Sequence, residues 1–234
     1  MEPEVGALVK NWRRIHRQYE GRTYSFFESG DAVCVCGGIG LEAARRATEA
    51  AITLYHPQLI FSVGFAGALD PTLRVGEIFT PATIIDARDG SRTRLEDAQL
   101  EEGRGTLLTF PHVAGVAQKQ KLLSSYAAQA VDMEAAAVAV AAEKHSVAFA
   151  AVKAISDEAN FEIPGSECFI DHEGRFHTGR FILFGLPRPW LWPRIAKLAA
   201  NSRKAATALA EYLKQVLSNP EITRPTTLTA RRHN

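Results

Sequence analysis

The residues best able to move protons in this chain stand in two clusters, Val131-Asp132-Met133-Glu134 and Ser156-Asp157-Glu158. A carboxyl group can donate a proton, accept one or face a developing positive charge, according to how its surroundings tune its pKa. The first cluster precedes a run of alanine and valine, Ala135 to Ala142, that contains no glycine or proline. Its acids therefore sit at the mouth of a helix that must pack closely. Negative charge there suits the positive end of the helix dipole. The second cluster follows Val147 to Val152, an apolar run of strand length, and then Lys153-Ala154-Ile155. A polar cluster after a buried strand is where open α/β sheets place their chemistry.

The elements that must position these acids alternate along the chain. Leu8, Val9, Trp12 and Ile15 recur at helical spacing and predict a helix over Val5 to Tyr19. Thr23 to Phe27 and Ala32 to Cys36 read as strands around the turn Glu28-Ser29-Gly30-Asp31. Gly37-Gly38-Ile39-Gly40 then opens a helix from Leu41 to Tyr55, which Pro57 closes. Leu59 to Val63 reads as a buried strand running into Gly64-Phe65-Ala66-Gly67, and Glu77 to Ile85 as a strand pair or bend. Asp86 to Gly105 is a polar surface excursion, Thr106 to Phe110 a strand, and Gln118 to Ala128 a helix.

After the acidic clusters, Phe161 to Gly185 is rich in turn residues and aromatics. A long amphipathic helix marked by Ile195, Leu198, Ala199, Ala206, Leu209, Leu213 and Val216 follows, with Trp190 and Trp192 expected to anchor it to the body. The pattern predicts one domain over residues 1–217, a three-layer α/β/α sandwich around a central mixed sheet, with 218–234 as a frayed tail.

Composition narrows the function classes. The chain has 234 residues, 46% hydrophobic and 23% charged, within the range of one domain with a substantial core. A net charge of +1 argues against a broad nucleic-acid or membrane footprint. No apolar run approaches the roughly 20 residues of a membrane span, and no secretory signal is evident, so a cytoplasmic protein is expected. Cys34 and Cys36 would point to one face of a strand and Cys168 makes the count odd, which favours free thiols over a disulfide framework. No His/Cys/Asp cluster has zinc spacing, so no metal is expected.

VDMEAAAVA and VKAISDEAN resemble the VEMEA and RAISD signatures of the purine nucleoside phosphorylase/nucleosidase superfamily, most like its 5′-methylthioadenosine/S-adenosylhomocysteine nucleosidase branch. GGIGLEAARRAT resembles the family's Gly-Ile-Gly turn, and VGFAGALDPTLRVGEIFTPATIIDA its G-x-A-G-x-L stretch, all in the family's order. The resemblance implies a nucleoside phosphorylase-like fold, a small-molecule purine nucleoside as substrate, no cofactor and a homo-oligomer. It makes Asp157 the general acid at N7 of the base, with Ser156 orienting it, and Glu134 the contact to a ribose hydroxyl that faces an oxocarbenium-like sugar. Met133 would lie under the sugar, and Asp132 stands where the family usually has Glu, as a substrate contact or a structural residue. Ile39, Ala66 and Gly67 would let backbone approach ribose or nucleophile, Val113 and Ala114 would meet the purine, and Phe161 would cover the pocket or pack in the core. A helix N-cap for Asp157 and a solvated first-turn acid for Glu134 are the bland alternatives.

Some features depart from that pattern. The family's water-activating Glu follows an apolar strand in a pattern like M-E-E-E-V; Met1-Glu2-Pro3-Glu4-Val5 matches it from the methionine onward, making Glu4 the base. Phe65 occupies a position where many members carry a Ser or Thr that binds phosphate or sugar, and Arg45 and Arg46 read as helix-surface residues. Water therefore ranks ahead of inorganic phosphate as acceptor. The C-terminal tail resembles that of hopanoid-associated phosphorylases, which keeps a phosphate-dependent cleavage of adenosylhopane as the alternative, and a nucleoside-binding protein without turnover as a second.

Overall fold

The computed structural model describes residues 2–95, 104–162 and 187–219. A seven-stranded mixed sheet forms its centre. In chain order the strands are β1 (Arg13–Tyr19), β2 (Arg22–Ser29), β3 (Ala32–Val35), β4 (Leu59–Ala68), β5 (Ile78–Phe79), β6 (Thr83–Asp86), β7 (Arg92–Arg94), β8 (Thr106–Thr109), β9 (Ala130–Asp132) and β10 (Ala148–Asp157). The helices are α1 (Glu2–Val9), α2 (Leu41–Tyr55), α3 (Val116–Tyr126), α4 (Ala135–Lys144) and α5 (Trp192–Ser218). The central order is β5-β10-β4-β9-β8-β6-β7, with β10 parallel to β4 and β6, β8 and β9 parallel to one another.

Side-chain alternation along the strands sorts the core into layers. On β10, Ala151 and Ile155 pack with Ala135 and Ala136 of α4, whereas Val152 and Ala154 pack with Ala205, Leu209 and Leu213 of α5. On β8, Leu107 joins the α4 cluster and Leu108 the cluster holding Leu122 of α3. Helices thus cover both faces, the three-layer arrangement the sequence predicts. The alanines of α4 are nearly all buried, and their small size lets the helix approach sheet and α2 closely.

The first segment departs from expectation. Helix α1 ends at Val9, and Arg13–Tyr19 is a strand paired antiparallel with β2. Glu20 and Gly21 both take positive φ, 47° and 73°, as a two-residue hairpin turn requires. The strands β1, β2 and β3 form a sheet of their own, separate from the seven-stranded one. Among the described residues β3 pairs with β2 alone, and β4 up to Ala66 pairs with β10 alone. A cleft of 1280 Å³ runs between these edges, walled by Val33, Val35, Leu59, Phe61 and Val63.

Other boundaries also differ from the sequence reading. The strand expected to stop at Val152 continues to Asp157, carrying the buried Lys153 inside it. Part of the Asp86 excursion is the edge strand β7, with Asp86 itself buried and gripped by the Arg88 guanidinium. Trp190 and Trp192, expected to anchor the last helix, are 68% and 55% exposed, and Ala205, Leu209 and Leu213 pack that helix against Val152 and Ala154 of β10. Cys34 and Cys36 form no disulfide among the described residues, and the Cys34 thiol is pushed up by its hydrogen bond to Cys36 and by burial. Cys168, the aromatic stretch before Gly185 and the expected frayed tail lie outside the described residues.

Candidate active site

Asp157 ends β10 beside the last residues of β4. In the β10–β4 register Ile155 faces Ala66 and Asp157 faces Gly67, so Ser156 is one residue too many. Such a bulge bends the strand and re-aims the residues beside it. It leaves the Ser156 hydroxyl 2.6 Å from Asp157 Oδ1 and 3.3 Å from the Ala66 carbonyl. The single hydroxyl proton goes to the shorter, charge-assisted contact. Asp157 Oδ2 accepts from Lys119 Nζ of α3, a residue 2% exposed.

Glycine at position 67 is what gives Asp157 its room. A Cβ there would stand 3.0 Å from Asp157 Oδ2. Gly67→Ala is accordingly expected to lower kcat by about tenfold or more, as a displaced reacting group does, with the melting temperature little changed. An unaltered kcat would show that the carboxyl can shift without consequence.

Glu134 stands at the turn between β9 and α4, where the sequence reading places it. Its Oε1 accepts the Gly40 N–H at 2.8 Å and its Oε2 the Met133 N–H at 3.2 Å. Gly40 holds φ 93° in the glycine turn, a backbone that side chains rarely adopt and that aims this N–H at the acid. Burial raises the Glu134 pKa to about 7, the Asp132 charge adds to the rise, and Lys153 and the Gly40 N–H oppose it.

Beneath Glu134 lies a buried charge network. Lys153 Nζ is 2.9 Å from Asp132 Oδ2 and 3.1 Å from Ser62 Oγ, and both partners of the ion pair are about fully buried. Burial works against the Lys153 cation, but Asp132, Glu134 and Glu4 outweigh it and hold its pKa above the usual value. Asp132 also accepts from the Thr109 hydroxyl and from the Ala135 N–H, so its oxygens are committed to capping α4 and neutralising Lys153. Its contacts are those of the structural alternative.

Glu4 reaches the same region from α1. Its Oε2 lies 3.2 Å from where a Cβ on Gly64 would sit, and it lines the cleft together with Ile39, Phe65 and Glu134. Phe65 also packs toward α5 with Val63 and Leu209. Ala66 is buried in the α4 cluster and offers its carbonyl to Ser156. Phe161 is half-buried, its ring 5.5 Å from Lys197 Nζ. Arg45 and Arg46 pair with Glu42 and Glu49 on their own helix. No group of His, Cys, Asp and Glu among the described residues could hold a metal, and none of their helices is long and apolar enough to cross a membrane.

Lys119 and Thr109 are the site residues sequence reasoning missed. Lys119 precedes Leu122 by three positions, which puts it on the apolar face of α3, and a lysine on a buried face signals a charged partner.

Against known proteins, the chain is 29% identical over 171 residues to the 5′-methylthioadenosine/S-adenosylhomocysteine nucleosidase of Staphylococcus aureus (strain MRSA252), covering 60% of this chain and 75% of the relative. Its fold is similar to that of the futalosine hydrolase of Helicobacter pylori strain 26695, with a TM-score of 0.65, 18% identity and 92% of each chain covered. It is also similar to a 5′-methylthioadenosine/S-adenosylhomocysteine nucleosidase from Colwellia psychrerythraea 34H in complex with adenine, with a TM-score of 0.66, 20% identity and 91% of this chain and 89% of that one covered. The family model described as the phosphorylase superfamily matches residues 1–113 and 96–180. With most of its length matched by that model, this chain belongs to the phosphorylase superfamily.

Proposed function

We propose that this protein is a nucleosidase that hydrolyses the N-glycosidic bond of a 5′-substituted adenine nucleoside, of the methylthioadenosine or S-adenosylhomocysteine type. The observation that carries the reading is that both acids approach glycines of one strand, β4: Glu4 at Gly64 and Asp157 at Gly67. Glu134 lies between them in chemistry, a buried carboxyl held by the glycine turn.

In this mechanism Asp157 takes up a proton from solvent as the nucleoside binds and donates it to N7 of the purine as the C1′–N9 bond breaks, and the bond electrons leave with the base. The ribosyl cation faces Glu134, whose carboxylate also accepts a ribose hydroxyl. Water adds to C1′ while Glu4 takes its proton. One water is consumed, the base and a free sugar are released, and the proton gained by Glu4 balances the one lost by Asp157. The substrate-facing roles of Met133, Ile39, Ala66, Gly67 and Phe161 belong to the same reading, as do a homo-oligomer and a cytoplasmic location.

Support for water over phosphate comes from Phe65, which packs toward α5, and from Arg45 and Arg46, which are engaged by Glu42 and Glu49. The test is chromatography of the protein incubated with methylthioadenosine, S-adenosylhomocysteine and adenosine, with and without phosphate. Free adenine and a reducing sugar in the phosphate-free arm are expected. Adenine only with phosphate, together with a ribose 1-phosphate, would overturn hydrolysis in favour of phosphorolysis. Adenine in neither arm would leave binding without turnover.

A further inference from the structure

Lys119 is buried to 2% exposure, yet the reaction above gives it no part. Its ammonium makes contact with three acceptors: Asp157 Oδ2, the Glu158 carbonyl at 2.8 Å and the Phe161 carbonyl at 3.2 Å. These use its three N–H bonds, so it has none to spare for a substrate atom. A turn earlier on α3 the Val116 N–H donates to Glu162 Oε2 at 2.7 Å. The segment leaving β10 is thus fastened to α3 at two points, and Asp157 stands at its root.

Resting on the nucleosidase reading, we infer that Lys119 is the positioning residue of the acid: it fixes the Asp157 carboxyl and faces the negative charge that appears there as the proton departs. With Ser156 on Oδ1 and Lys119 on Oδ2, each oxygen has a donor in place for the carboxylate that is left once the proton has gone to N7. Donors that need no reorganisation in a water-poor site stabilise developing charge most effectively. The anchors on Glu158 and Phe161 hold the ammonium still, and a reacting group must be placed to a fraction of an ångström. The proton itself passes only from Asp157 to N7; Lys119 keeps all of its own.

A residue acting only through the acid matters only where the leaving group needs a proton. The test compares methylthioadenosine with p-nitrophenyl β-ribofuranoside, whose phenolate leaves unprotonated, in the wild-type full chain and in Lys119→Met, Lys119→Arg and Asp157→Asn. Lys119→Met is expected to lose about 100-fold in kcat on methylthioadenosine, with KM and nitrophenyl turnover changed by less than about threefold. Lys119→Arg should recover most of the loss, because it restores a cation beside Oδ2. Equal losses on both substrates would mark Lys119 as a structural tie and overturn the inference, as would no loss on either. If Asp157→Asn kills methylthioadenosine turnover and Lys119→Met does not, this inference fails alone. If Asp157→Asn stays active, the acid assignment fails and takes this inference with it.

Discussion

Replacing Asp157 with Asn should cut adenine release by about 1,000-fold while adenine still binds within about tenfold of wild type, since a general acid contributes on the order of 10² to 10⁴ in rate. The amide is nearly the shape of the acid and can still accept from the Ser156 hydroxyl, now 2.6 Å from Oδ1. What it cannot do is give N7 a proton. It also leaves the Lys119 ammonium, 2% exposed, with only the two carbonyl acceptors, so some loss of stability is expected. Calorimetric binding of adenine separates the outcomes: retained binding with lost turnover supports the acid role, and retained turnover removes it.

Glu134→Gln is the other change with a large expected effect, and here pH supplies a second readout. Facing an oxocarbenium-like sugar requires the carboxylate, and burial has raised the pKa of this group to about 7. For the wild type, kcat/KM should therefore climb as pH rises through about 7. The amide of the variant carries no charge at any pH, so the variant should lose about 100-fold above neutrality and lack that limb. A variant profile that keeps the same rise would show that another group sets it.

The same shift makes a stability prediction, and its sign follows from which state holds the proton. Between the ordinary value of 4.5 and about 7 the folded chain keeps Glu134 protonated while the unfolded chain has lost the proton. Stability from this group is therefore complete below 4.5 and is lost as pH rises to about 7. The loss is on the order of 3 kcal/mol, at about 1.4 kcal/mol per pKa unit. Urea unfolding of wild type and variant at about pH 5 and about pH 8 reads it: the wild type should weaken more over that interval. Equal pH dependence of the two proteins would count against the buried, proton-holding Glu134.

Short apolar patterns mislead where two periods fit at once. Trp12 and Ile15 suit a helix begun at Val5, but Ile15 with polar neighbours at Arg14 and His16 also suits an exposed strand. Only pairing with β2 through the Glu20-Gly21 turn decides between them. Lys153 reads as the start of a polar cluster because a lysine in a buried strand has no local explanation. Its partner Asp132 comes from another strand, and their ion pair permits both to be inside.

By itself the sequence determined the layered α/β plan, since apolar runs of strand length alternating with amphipathic helices allow few other arrangements. It also placed Glu134 and Asp157 at the boundaries of strongly patterned elements, and boundaries are where backbone geometry changes. The tertiary structure alone decided what surrounds those acids. The bulge at Ser156, the reach of Lys119 from α3 to Asp157 and the descent of Asp132 onto Lys153 join residues far apart in the chain. Neither burial nor charge neighbours have any signature in local spacing, and they are what set the pKa of Glu134.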